Sequence, residues 1–163
     1  MSAATPGPTE PPPYGGRTLV VDTSAWAVLR KALSESPRPP LVREFFDARA
    51  EGQLRGHTAA KLEVLHSAQN PADFLEIEER LDRLETLRIT ATASDAAVGA
   101  LRDLSAGATS GQPALHRVKA GDVLIAATAA EHGFDVLHFD HHFDLLATVL
   151  GFESVWIAPP GRY

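Results

Sequence analysis

Cysteine is absent from the 163-residue chain, which removes disulfide staples, thiolate zinc sites and cysteine nucleophiles together. The absence suits a reducing compartment. Aromatic residues make up only 7%, so a surface that stacks many bases is not expected. No apolar run reaches the roughly 18–20 residues that a membrane helix needs. The first residues (MSAATPGPTEPPPYGG) lack the basic start and apolar stretch of a secretion signal. The expectation is a cytoplasmic protein with no membrane partner. A basic surplus is missing as well: net charge is −6, although Lys and Arg supply most affinity for phosphate backbones. Some of the 21 acidic residues could sit on a cation, however, and invert the local sign.

The chain does have 44% apolar residues, enough for a packed core, and a length that suits one domain. Residues 1–16 hold five prolines and three glycines with no apolar period and are expected to be a disordered tail. Residues 17–163 then form the folded domain. Residues 17–22 (RTLVVD) read as a buried parallel strand that ends in an acid. Helices are expected over 23–33, 41–50 and 58–69, with a short strand at 54–57. A further helix begins at Pro71, where Phe74, Ile77, Leu81 and Leu84 share one face. A strand at 86–90, a helix at 93–105 and a Gly/Ser/Thr-rich loop at 106–117 follow. The helix 122–132 (DVLIAATAAEH) is apolar nearly all round and therefore buried, and Gly133 ends it. Strand 135–139, helix 142–150 and strand 153–158 complete the chain. This alternation predicts a three-layer α/β/α domain with a mainly parallel sheet.

In such sheets ligands bind beyond the C-terminal ends of the strands. Asp22 ends the first strand, and Asp140 follows the strand at 135–139. Asp122 opens the buried helix, and Glu63 lies within a helix between Leu62 and Val64. Each has an ordinary reading. Asp22 suits a helix cap, Asp122 the positive end of a helix dipole, Asp140 a turn, and Glu63 an exposed helix charge. Four carboxylates brought to one rim would repel one another unless a cation neutralised them. Oxygen ligands without thiolates select Mg²⁺, or Mn²⁺ in its place. Such an ion can acidify water and stabilise charge on a phosphate, which points to phosphodiester hydrolysis.

Three blocks carry a resemblance: LVVDTSAW (19–26), KLEVLHSA (61–68) and VKAGDVLIAATAAEHGFDVLHFDHHFDLLA (118–147). In this order they resemble the PIN-domain family, and within it the VapC-type toxin ribonucleases of VapBC toxin–antitoxin pairs. The likeness runs from about Leu19 to Ile157. It implies a PIN-like fold and a Mg²⁺- or Mn²⁺-dependent endoribonuclease whose catalytic acids are Asp22, Glu63, Asp122 and Asp140. By the resemblance, Asp22 and Asp122 are direct metal ligands, with Ser24 beside the metal. It also implies an RNA substrate, a VapB-like antitoxin and a homodimer.

The chain departs from the family at one place. Many relatives carry Asp-x-Asp-Phe after the late strand, whereas here His142 stands at the second acid of Asp140-His141-His142-Phe143-Asp144. His142 is either a ligand or phosphate contact or a surface residue that caps the short helix, and Asp144 is the alternative for the vacant acid's part. His138, His141 and His142 together raise a zinc reading, but without the spacing of a zinc site. Candidate phosphate contacts are Arg30, Lys31, Arg38, Arg55, Lys61, Arg117 and Lys119. Trp26 could stack a base or pack in an interface. Trp26, Val28, Leu29, Leu41, Phe45 and Phe46 are either a docking surface for the antitoxin or core. Two other functions compete: a non-catalytic PIN-fold binding module, which His142 favours, and a phosphoryl-transfer or signalling α/β domain. The latter wants an acid pair at the first strand, and Asp22-Thr23-Ser24 does not supply it.

Overall fold

The computed structural model describes residues 10–107 and 118–163. Five strands, β1 (Leu19–Val21), β2 (Leu54–His57), β3 (Glu85–Leu87), β4 (Asp135–His138) and β5 (Ser154–Trp156), form one sheet in the order β3-β2-β1-β4-β5. Every pairing is parallel. The described helices are α1 (Thr23–Leu33), α2 (Pro40–Ala50), α3 (Thr58–Leu65), α4 (Pro71–Leu81), α5 (Ala91–Gly107), α6 (Ala120–His132) and α7 (His142–Leu146).

Strand alternation divides the core in two. Leu19, Val21 and Leu137 point into a cluster with Val28, Leu29 and Phe45 of α1 and α2. Val20 and Val136 point the other way, to Ala97 of α5, Ile125 and Ala126 of α6, and Phe143 and Leu146 of α7. The three-layer architecture expected from the alternation is the one observed, with the sheet wholly parallel. Helix α6 is buried almost all round, as its composition required, and Gly133 ends it at φ 67°.

From β1 the chain builds β2 and β3 on one side, then crosses to place β4 and β5 on the other. The crossing opens a crevice between the ends of β1 and β4, the switch point where α/β sheets bind ligands. Val21 pairs with Leu137 there, and the Asp22 N–H donates to the Leu137 carbonyl at 3.0 Å.

Several boundaries differ from expectation for local reasons. Helix α3 stops at Leu65 because the Ser67 hydroxyl takes the Val64 carbonyl at 2.6 Å, and Asn70 caps the next helix by accepting from the Asp73 N–H at 3.0 Å. Helix α4 ends at Leu81. Leu84 continues its period but is buried on the way into β3, which lies earlier than residues 86–90. Thr90 instead caps α5, its Oγ1 accepting from the Ala93 N–H at 3.0 Å. Helix α7 is one short run to Leu146, after which the Thr148 hydroxyl bonds the Leu145 carbonyl at 2.6 Å. The loop expected at 106–117 lies outside the described residues from 108 onward, and residues 106 and 107 belong to α5. Of the proposed tail, residues 1–9 also lie outside the described residues. Residues 13–16 form a 3₁₀ turn against α2, where the Tyr14 N–H donates to Glu44 Oε1 at 3.1 Å.

Candidate active site

Asp22 leaves β1 in extended conformation and caps α1. Its Oδ2 accepts the Ser24 N–H at 2.8 Å and the Ser24 hydroxyl at 2.5 Å. The same hydroxyl oxygen accepts the Phe139 N–H at 2.9 Å, so Ser24 ties the end of β1 to the end of β4 across the crevice. Asp122 sits in the first turn of α6 and is 4% exposed, against 3% for Asp22. Burial raises both carboxyl groups. Asp122 reaches about 7, with Asp22 and Asp140 adding repulsion, while hydrogen bonds from Ser24 partly hold Asp22 down. Asp22 Oδ1 and Asp122 Oδ2 are buried without a hydrogen-bond partner.

Glu63 reaches the same pocket from α3. Its side chain remains 43% exposed, its Oε2 accepts the Thr23 hydroxyl at 3.2 Å, and its Oε1 lies 3.5 Å from Lys119 Nζ. Lys119 precedes α6, and its pKa is raised chiefly by Glu63, so it carries its charge at the pocket mouth. Asp140 completes the rim, with Oδ1 accepting the His142 N–H at 2.9 Å. Repulsion reaches Asp122 from Asp22, Asp140 and Glu63, so the four acids named from sequence lie near one another, although their oxygens are not drawn within 4.8 Å as one ligand set.

Two buried oxygens with no protein donor, among four acids and one ammonium, match the needs of a hard divalent cation. Asp22 and Asp122 supply the inward-facing oxygens, and Glu63 and Asp140 flank them. Asp22 Oδ2 is satisfied within the protein by the Ser24 N–H and hydroxyl. The two orphaned oxygens are not.

Sequence reasoning missed a chain of polar contacts behind Asp140. His138 is fully buried, and its Nδ1 accepts the Asp140 N–H at 3.0 Å. Its Nε2 therefore bears the proton and faces Ser154 Oγ at 2.5 Å, and the Ser154 hydroxyl donates to Asp144. The Trp156 indole N–H also donates to Asp144, at 3.1 Å. Asp144 is thus held by β5, and His138 is a neutral side chain whose pKa burial lowers to about 4. His57 ends β2 in the same manner: Nδ1 accepts the Ala59 N–H at 3.0 Å and Nε2 lies 3.0 Å from Thr128 Oγ1. The available signal was a histidine closing each strand, two residues before a backbone N–H that needed an acceptor.

The other candidates separate clearly. Val28, Leu29 and Phe45 are core residues. Trp26 meets Phe45 edge-on, with ring centroids 5.4 Å apart, on the α1–α2 side of the sheet. Lys61 is paired with Asp82 at 2.5 Å, and Arg55 with Glu85 at 3.3 Å. Arg117 lies outside the described residues.

Comparison with known proteins gives a consistent result. The PIN domain family matches residues 19–149. Ribonuclease VapC51 of Mycobacterium tuberculosis is 36% identical over 123 residues, 75% of this chain and 85% of that relative. Ribonuclease VapC18 of the same organism is 32% identical over 143 residues, 86% of this chain and 96% of that relative. Among solved structures, DNA-bound VapBC of Salmonella typhimurium contains a chain that superposes with a TM-score of 0.65 at 18% identity, covering 87% of this chain and 99% of that one. VapBC-1 of nontypeable Haemophilus influenzae gives 0.62 at 18% identity, covering 83% and 96%. Family match, sequence relatives and fold agree, and the chain belongs to the PIN domain family.

Proposed function

We propose that residues 17–163 form a Mg²⁺-dependent endoribonuclease, active also with Mn²⁺, that is the toxin of a VapBC-type pair and acts in the cytoplasm. The observation that carries this reading is the pair of partnerless buried oxygens, Asp22 Oδ1 and Asp122 Oδ2, at the switch point of the sheet. A divalent cation held there supplies Lewis acidity towards a phosphate and lowers the pKa of a water. Asp22 and Asp122 bind it. Glu63, fixed by Thr23 and Lys119, and Asp140, fixed by the backbone of α7, orient water at the pocket edge. Lys119 offers the pocket's ammonium to a phosphate of the scissile strand. The names of the sequence relatives, both ribonucleases, support the RNA substrate.

The antitoxin partner is supported by the VapBC complexes whose chains share this fold. A groove on the α1–α2 side would receive part of it. Trp26, Leu33 and Phe46 form the apolar lining, Arg49 brings positive charge, and Arg80 and Arg83 border the groove while paired with Glu76 and Glu79. An apolar segment bearing acidic residues complements that surface.

The test is cleavage of an RNA pool by purified protein. Cleavage should require Mg²⁺ or Mn²⁺, stop with chelator, and fall by roughly 10²-fold or more in Asp22→Asn and Asp122→Asn, since these remove metal ligands. Full activity in chelator would overturn the metal reading. Binding of a partner by a protein that cleaves no RNA would replace the nuclease with a binding module.

A further inference from the structure

His142 follows Asp140 by two residues at the start of α7, and its surroundings are not those of a surface cap. The side chain is 15% exposed, and Nδ1 lies 3.1 Å from Asp140 Oδ1. Nδ1 is nevertheless buried and has no hydrogen-bond partner. His141 Nδ1 lies 3.8 Å from the same oxygen, and the two imidazole rings are 4.6 Å apart. One donor atom from each of Asp140, His141 and His142 falls within 4.8 Å of the others. Donors bound to one metal at about 2.1 Å stand about 3.0–3.4 Å apart for octahedral to tetrahedral angles. The Asp140–His142 separation already fits. His141, whose side chain is 73% exposed, lies 3.8 Å from Asp140 Oδ1 and within 4.8 Å of the His142 donor atom, so it must swing inward to complete the set.

We propose that Asp140, His141 and His142 form a mixed oxygen–nitrogen site for a first-row transition-metal dication, at the edge of the carboxylate pocket but different from it in ligand chemistry. Imidazole nitrogen binds Co²⁺, Ni²⁺ and Zn²⁺ well and Mg²⁺ poorly, whereas the carboxylates of Asp22 and Asp122 suit Mg²⁺. The pocket therefore has one hard end and one borderline end. His138, which the sequence grouped with this pair, takes no part because both its ring nitrogens are engaged by Asp140 N–H and Ser154 Oγ. The site borrows Asp140 from the proposed nuclease pocket, yet its occupancy can be read without any cleavage.

The experiment is calorimetric titration of tag-free, metal-stripped protein with NiCl₂, repeated with MgCl₂, alongside the visible absorption of the Co²⁺-loaded protein. The wild type should bind Ni²⁺ roughly tenfold or more tightly than Mg²⁺. His142→Ala should weaken Ni²⁺ binding by roughly tenfold or more and change the Co²⁺ bands. His142→Asp should invert the preference towards Mg²⁺, which separates loss of a ligand from loss of structure. His66→Ala, at an exposed histidine outside the pocket, should bind as the wild type does. Asp22→Asn should keep the Ni²⁺ site while losing Mg²⁺-dependent cleavage. Superimposable Ni²⁺ isotherms for wild type and His142→Ala overturn the proposal. Wild-type protein that binds Ni²⁺ at this site yet cleaves no RNA with any divalent cation overturns the nuclease reading alone.

Discussion

Burial of Asp122 in a pocket with three other acids has a consequence for stability as well as for metal binding. Its pKa is about 7 in the fold, against 3.8 for an ordinary aspartate. Between those values the folded protein holds a proton that the unfolded chain releases. Its contribution is therefore complete below about pH 4 and lost as pH rises through about 7. His57 and His138, lowered to about 4, act oppositely: their contribution is lost as pH falls below about 6.5. A comparison of wild type with Asp122→Asn cancels the histidines. In chelator, the variant's advantage in Tm should grow by roughly 5 °C between pH 5 and pH 8, and Mg²⁺ should raise the wild-type Tm more at pH 8 than at pH 5. A constant difference in Tm across that range would show that Asp122 ionises normally. Ser24→Ala tests the tie across the crevice. It removes a donor to Asp22 and the acceptor of the Phe139 N–H, and should cost about 1–3 kcal/mol in urea unfolding. At this scale the sequence was informative about Asp22, Asp122 and Asp140, since a strand end or helix start fixes where such a side chain points. Glu63 was less so: a helix can present any face, and only Thr23 and Lys119 show which one it presents.

Among the elements, β4, α7 and β5 act as a unit. His138 of β4, Ser154 and Trp156 of β5, and Asp144 of α7 are joined by hydrogen bonds and by the packing of the His138 ring on Phe143 and Trp156, at centroid distances of 5.0 and 4.9 Å. This bracket fixes the backbone that carries Asp140. Asp144→Ala leaves the Ser154 hydroxyl and the Trp156 indole without their acceptor and should destabilise the protein by about 2 kcal/mol, with a shift in tryptophan emission. An unchanged urea midpoint would show that the bracket contributes nothing. The elements themselves were legible wherever period and punctuation coincided: β1, α6 with its terminal Gly133, and α4 opened by Pro71. The bracket was not, because Ser154 lies ten residues from Asp144 and meets it only through the parallel register Val136↔Ser154. A register between strands depends on the whole sheet and not on any local pattern. The ends of α3, α4 and α7 escaped for a different reason, since apolar spacing persisted past residues whose hydroxyls or turns had already stopped the helix.

For the whole molecule, the unsatisfied surface is the α3–α4 side. The period expected Phe74 and Ile77 to face the core, yet Leu81 is the one buried residue of α4. Leu62 and Leu75 are each 64% exposed and Phe74 38%, and Leu65, Phe74 and Leu75 line a shallow apolar depression there. Exposed apolar surface of this kind marks association sites. The groove between α1, α2 and the C-terminal end of α4 carries Arg49, Arg80 and Arg83, whereas the leucine-bearing face suits a second copy of itself through a two-fold contact. A symmetric dimer would pair the α3–α4 surfaces through Leu62, Phe74 and Leu75. The expected result is a dimer by sedimentation at micromolar concentration. Leu62→Glu with Leu75→Glu should convert it to a monomer, because two buried charges on each side of the two-fold lack partners. Both positions are largely solvated in the single chain, so the monomer should keep its helical circular dichroism and unfold within about 0.5 kcal/mol per substitution of the wild type. A double variant that remains dimeric would move the interface elsewhere, and a wild type that sediments as a monomer at every concentration would remove it.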